Sequence, residues 1–197
     1  IFGFSCGIPN NNSKLLSTIF QSMHKDFTKI VENPEEFRVQ LIYTQIDRNN
    51  EQSPMFTSHN FNVDPEKYFY PASTVKFPAA VLALDKINHY ESLGLTKDSK
   101  LTIGSDRDWM ESVDNDTSSE TGNASIAHYI KKIFVVSDDN AFNRIYEFLG
   151  RDYFNERMWA IGYPDTRFRH RLSIRLSAEE NKYTNSFDFF SEKGNRL

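Results

Sequence analysis

The sequence predicts an α+β fold that opens with a helix and a β-hairpin and continues into an all-helical segment. Three observations predict it. Residues 13–31 place apolar side chains at helical spacing. Residues 37–63 contain two runs of alternating polarity with a turn between them. From residue 75 to residue 162 the spacing is again helical, interrupted by polar loops and by Gly150 and Gly162. The order of helix, two strands and then many helices leaves a hairpin that has not met the rest of a sheet.

The first helix is read over residues 13–31, where Leu15, Leu16, Ile19, Phe20, Met23, Phe27, Ile30 and Val31 supply the apolar face, and "NPEE" ends it. "FRVQLIYTQID" then alternates, with Phe37, Val39, Leu41 and Tyr43 on one side, and reads as a strand. "RNNEQSP" is a turn, and "MFTSHNFNV" is a weaker second strand. A helix follows "YPAS", with Phe77, Ala80, Val81, Leu84 and Ile87 at helical spacing. Residues 97–121 are rich in Asp, Ser and Thr and read as loops. Further helices are expected over residues 125–134, from about Asn140 to a C-cap at Gly150, and over "RDYFNERMWAIG". "RFRHRLSIRL" is a basic cluster that reads as a solvated turn, and the last 21 residues, from Ser177, are turn-rich without clear periodicity.

Composition narrows the function classes. The 197 residues suit one ordinary domain, and a net charge of -4 gives no nucleic-acid footprint. Hydrophobic residues make up 39%, and 17 Phe and 9 Tyr supply bulk for a core. No apolar run is long enough to span a bilayer. His24, His59, His89, His128 and His170 lack metal-ligand spacing, and "DNDTSSETGNAS" lacks the ordered pattern of a calcium loop. No metal and no cofactor is therefore expected.

The lone cysteine, Cys6, lies in "IFGFSCGIPNNNSK", where a short apolar run ends and an Asn-rich segment begins. The stretch resembles the tail of a bacterial lipoprotein signal with Cys6 as the acylated residue, although Gly3 stands where an aliphatic residue is usual. On that reading residues 1–12 are a signal remnant or tether, and the domain is residues 13–197. The protein would then sit in the bacterial periplasm or cell envelope, touching membrane only through a lipid at Cys6. The plainer alternative is a cysteine with no such role.

Ser73 and Lys76 carry the chemistry. A capping box would place Glu or Gln three residues after Ser73, but the residue there is Lys76. A cation in the first turn opposes the helix dipole at a cost of about 0.3–1 kcal/mol. Pro78 lies slightly too deep for the free proline position. Such local costs often accompany a functional site. A serine hydroxyl is a weak nucleophile until a base takes its proton, and a desolvated lysine can be that base. The helix N-terminus also offers a backbone N–H, at Ser73, to stabilise an oxyanion. The competing reading is a capping serine beside a solvated lysine.

A second motif sharpens the choice. "KKIFVVSDDNAFNRIYEFLG" sets Ser137 between two helices, followed by Asp138, Asp139 and Asn143. Together with Ser73-x-x-Lys76 this resembles the penicillin-recognising serine hydrolases, above all the class A β-lactamase-like group. The order of elements over residues 13–172 agrees with that family. The resemblance implies the α/β sandwich of the β-lactamase and transpeptidase type. It implies Ser73 as the acylated nucleophile, Lys76 as the base and Ser137 as the proton shuttle. Asp139 and Asn143 would be the residues on the substrate side, Asn143 matching a structural Asn that comes after the motif.

Three departures qualify the resemblance. Asp139 stands where the family has Asn, and an ionised acid accepts but does not donate. "RFRHRLSIRL" holds no acid where class A enzymes carry the Glu that activates the deacylating water, and Glu179 and Glu180 come later as a solvated pair. The family's Lys-Thr/Ser-Gly strand is not found, so the sequence reads as a fold that stops before it. Two functions stay open at this point. One is a serine hydrolase working through an acyl-enzyme on a small-molecule or peptide amide or ester, such as a β-lactam or a peptidoglycan stem peptide. The other is a catalytically degenerate member used as a binding or structural module of the cell envelope.

Overall fold

The computed structural model describes residues 12–48 and 53–197. Cys6, Gly3 and most of the hairpin turn lie outside the described residues. The fold is α+β, and the described residues divide into two compact units, one ending at residue 70 and one over residues 71–197.

The first unit contains α1 (Lys14–Gln21), α2 (Lys25–Glu32), β1 (Leu41–Arg48) and β2 (Pro54–Phe61). The single helix expected over residues 13–31 is two. Ser22 closes α1, its hydroxyl donating to the Ile19 carbonyl, and His24 opens α2 by accepting from the Asp26 N–H. The strand expected from Phe37 starts only at Leu41. Before it, the Val39 N–H returns to the Pro34 carbonyl at 2.8 Å and Arg38 takes φ 52°, so these residues form a turn. β1 and β2 are antiparallel, with Leu41 opposite Phe61 and Ile46 opposite Phe56. A small core of Leu16, Phe20 and Phe61 seats α1 on the hairpin, and the Phe20 and Phe61 rings meet edge to face at 4.8 Å.

The second unit opens with a 3₁₀ turn, Ala72–Val75, that runs directly into α3 (Lys76–Asn88). Then come β3 (Lys100–Ile103), α4 (Ile126–Val136), α5 (Asp139–Leu149), α6 (Arg151–Ala160) and β4 (Phe187–Phe190). α5 is the central element. Ala141, Phe142, Ile145, Tyr146, Phe148 and Leu149 are all buried, so it presents apolar residues around most of its circumference. Ala79 and Ala83 are fully buried on α3, and their small side chains let α3 pack closely in the same core.

β3 and β4 pair antiparallel, Lys100 with Phe190 through Ile103 with Phe187, inside stretches expected to be loop or aperiodic. Four residues are too few to display an alternation, and each strand exists because the other supplies its partner from far along the chain. Ser125 caps α4 by accepting from the His128 N–H, and Gly150 closes α5 with φ 78°. Among the described residues no helix is long and apolar enough to cross a membrane.

The basic cluster is not a solvated turn throughout. Arg171 is 2% exposed, its Nε donates to Glu147 at 2.8 Å, and its Nη2 donates to the Tyr183 carbonyl at 2.7 Å. Glu147 also accepts from Arg144 at 3.2 Å, and Arg144 reaches Glu111 at 3.0 Å. The Arg171 N–H donates to Asn181 Oδ1 at 2.9 Å. This buried network fixes the segment that carries Leu172 and Ser173 to α5.

Candidate active site

Ser73 lies inside the 3₁₀ turn rather than at a helix N-cap. Thr74 closes that turn, with its N–H and its hydroxyl both donating to the Pro71 carbonyl, at 3.1 and 2.6 Å. Neither Pro71 nor Val75, the residues flanking the two helical segments, makes a side-chain cap. The Ser73 hydroxyl is therefore not engaged in capping. It faces Lys76 Nζ at 3.2 Å and accepts from the Ser137 hydroxyl at 3.1 Å.

Lys76 is 3% exposed. It opens α3, where a cation opposes the helix dipole, and its surroundings offset that cost. Nζ donates to the Ser137 carbonyl at 2.5 Å, to the Ser137 hydroxyl at 3.0 Å and to Asp139 Oδ1 at 2.5 Å. With Ser73 that makes four acceptors around a group with three hydrogens, a crowded polar cage.

Ser137 joins α4 to α5 in the left-handed region, φ 54° and ψ 41°. That conformation turns both its carbonyl and its hydroxyl toward Lys76. Asp138 then caps α5 by accepting from the Ala141 N–H at 2.8 Å, so the Ser137 hydroxyl is not needed to cap α5. Three non-glycine residues of this unit have positive φ: Ala72, Ser137 and Ser173. Ala72 precedes the nucleophile candidate, Ser137 lies against it, and the Ser173 hydroxyl donates to Asp139 Oδ2. Strain of about 1–3 kcal/mol per such residue persists where the surrounding structure over-determines it, and all three adjoin one cage.

Asp139, which the resemblance sets on the substrate side, makes two contacts inside the protein. Its two oxygens are engaged within the protein, Oδ1 by Lys76 and Oδ2 by Ser173. The hydrogen bond from Lys76, then that from Ser173, holds its carboxyl below the usual carboxylate range, with burial opposing only in part. Asn143, also expected to bind substrate, is 3% exposed. It clamps the backbone of Leu172, donating to the carbonyl at 2.9 Å and accepting from the N–H at 2.8 Å. Its amide is thereby a structural tie between α5 and the basic segment.

The arrangement thus gathers Ser73, Lys76, Ser137 and Asp139 from three elements and leaves Asn143 beneath them. Sequence reasoning missed Ser173 and the Arg171–Glu147 pair. No local signal marked Ser173, and the pair joins residues 24 positions apart. Glu179 and Glu180 stay outside the cage: Glu179 pairs with Lys182 at 2.5 Å, and Glu180 accepts from the Ser177 N–H at 2.7 Å. Among the described residues no group of three His, Cys, Asp or Glu side chains is placed to hold a metal ion.

A family model described as the beta-lactamase enzyme family matches residues 23–191, most of the chain. No curated protein and no solved structure gives a significant match.

Proposed function

The chain belongs to the beta-lactamase enzyme family, and from that premise we propose that it is a serine hydrolase acting through an acyl-enzyme on Ser73. The carrying observation is that Ser73, Lys76 and Ser137 touch one another within 3.0–3.2 Å through their side-chain heteroatoms. In this reading Lys76, in its amine form, takes the Ser73 proton as Oγ bonds to a carbonyl carbon. The resulting oxyanion meets the backbone N–H of Ser73 at the start of the helical segment. Ser137 passes a proton from Lys76 to the departing nitrogen or oxygen, and the carbon–heteroatom bond breaks. Ser73 ends as an ester, and the leaving group carries the proton that Ser73 gave up. The substrate class is an amide or ester such as a β-lactam or a peptidoglycan stem peptide. The same proposal puts the chain at the bacterial cell envelope, tethered by lipid at Cys6.

A fluorescent penicillin tests the reading. Covalent label on the wild type that disappears in Ser73→Ala supports it. Absence of label at every pH, or label that persists in Ser73→Ala, overturns it. A second reading, a degenerate envelope-binding module, draws on one observation, the ion pair of Lys76 with Asp139 at 2.5 Å. An ammonium in that pair cannot accept a proton.

A further inference from the structure

The Lys76–Asp139 pair lies directly beside the Ser73 hydroxyl. A hydroxyl yields its proton to an amine, not to an ammonium. Lys76 is nearly fully buried, and the carboxylate opposite it favours the charged form. Asp139 is itself fixed, because Ser173 holds its second oxygen, and Ser173 is fixed beside Leu172, which Asn143 clamps.

We propose that Asp139, anchored by Ser173, is a positioning residue that keeps Lys76 as an ammonium against Ser73, so that acylation waits on the loss of one proton from the Lys76–Asp139 pair. This rests on the reading of Ser73 as nucleophile and Lys76 as base. The steps balance. At rest Ser73 is a hydroxyl, Lys76 an ammonium and Asp139 a carboxylate. The pair releases one proton to hydroxide or a buffer base, leaving a lone pair on Nζ. Nζ takes the Ser73 proton as Oγ joins the carbonyl carbon. The leaving atom takes a proton back through Ser137, and Lys76 is again an amine. Nothing is oxidised or reduced.

The other charged groups on the packed elements are committed elsewhere. Asp138 caps α5 and faces Lys132 at 3.6 Å. Lys132 on α4 also meets Asp116 at 3.4 Å, and His128 meets Asp116 at 3.3 Å. Arg144 pairs with Glu147 and Glu111, and Arg171 pairs with Glu147. Arg175 is exposed two residues beyond Ser173. Asp139 is thus the carboxylate at ion-pair distance from Lys76 among the described residues.

The test uses Asp139→Asn, with Asp139→Ser as a second charge-removing variant should the first fail to fold. The first readout is the ¹³Cε resonance of Lys76 in lysine-labelled protein, assigned through Lys76→Arg and followed against pH. The second is the rate of Ser73 acylation by a penicillin against pH. In the variant, which lacks the carboxylate at ion-pair distance, the Lys76 resonance should leave its ammonium position at lower pH than in the wild type. The rise of acylation with pH should move by the same amount, which at neutral pH is about tenfold faster per unit. An unmoved titration overturns the proposal. So does an unmoved profile, or an equal fall in rate at every pH, which marks Asp139 as a substrate contact. The resonance needs no acylation, so a moved titration with no adduct on Ser73 supports the hold of Asp139 on Lys76 while overturning the hydrolase reading and, with it, the link to acylation.

Discussion

The Ser137 hydroxyl donates to the Ser73 hydroxyl across 3.1 Å, although 64 positions separate the two residues in sequence. The contact exists because Ser137 adopts φ 54° at the end of α4, a conformation that an L-residue takes at a cost of about 1–2 kcal/mol. A glycine would relieve that cost but would carry no hydroxyl. The chain therefore holds a strained serine where a turn alone would favour glycine.

That trade gives a paired prediction. Ser137→Gly and Ser137→Ala both remove the hydroxyl, and both should slow acylation of Ser73 to a similar extent, about 10²–10⁴-fold if Ser137 carries the proton. They should differ in stability. Glycine tolerates the left-handed region and alanine does not, so Ser137→Gly should be the more stable of the two by about 1 kcal/mol in urea unfolding. Equal stabilities would mean that the turn relaxes away from its left-handed geometry.

The buried arginine network should dominate mutational stability. Glu147 accepts from both Arg171 and Arg144, and the side chains of Glu147 and Arg171 are 6% and 2% exposed. Glu147→Gln leaves the buried Arg171 guanidinium without its counter-charge and should destabilise the second unit by about 3–5 kcal/mol. Glu120→Gln removes the exposed pair with Lys131 at 3.2 Å and should change stability by about 0–1 kcal/mol. Chemical denaturation of both variants checks the contrast. A loss under about 1 kcal/mol for Glu147→Gln would show that the network is dispensable.

Alkaline stability should track two phenols. Burial pushes Tyr129 and Tyr146 up from 10.0 to about 12. A group raised in the folded state favours folding fully below its ordinary value, and that contribution is lost as pH rises through the folded value. Stability should therefore fall between about pH 10 and pH 12, together with late-ionising tyrosinate absorbance from Tyr129 and Tyr146. Tyr146→Phe gives up the hydrogen bond to the Asn181 carbonyl at 3.3 Å but should flatten that alkaline decline. A decline as steep as in the wild type would assign it to other groups.

Fold and site are legible in the sequence where the signal is local. The helices α3 to α6 announce themselves by apolar spacing, by Ser125 and by Gly150. Ser73 and Lys76 stand out because a lysine three residues after a serine violates the capping pattern. Distant partners set the features that escape. β3 and β4 are four residues each and define one another across about 85 positions. Arg171 looks like one more surface cation until Glu147 is placed beside it. Asp139 reads as a substrate contact, because sequence shows an acid but not that Lys76 and Ser173 already engage both its oxygens.

The lifetime of an acyl-enzyme depends on such distant partners too. Residues 167–176 contain no carboxylate, and Asn143 ties their Leu172 backbone to α5 while Ser173 turns to Asp139. Glu179 and Glu180, which come next in the chain, hold Lys182 and cap the Ser177 turn. Asp139 lies near Ser73 but is bound at both oxygens. None of these three carboxylates stands free to activate a second water, and general-base help of that kind is worth about 10²–10⁴ in rate. An ester formed on Ser73 by a penicillin should outlive many minutes, and intact-mass measurement should find the protein plus one whole penicillin. The adduct should be missing in Ser73→Ala. Rapid turnover with no trapped adduct would refute this. A faster decay in the wild type than in Asp139→Asn would then assign the base to Asp139, and an equal decay would turn attention to Glu179 or Glu180.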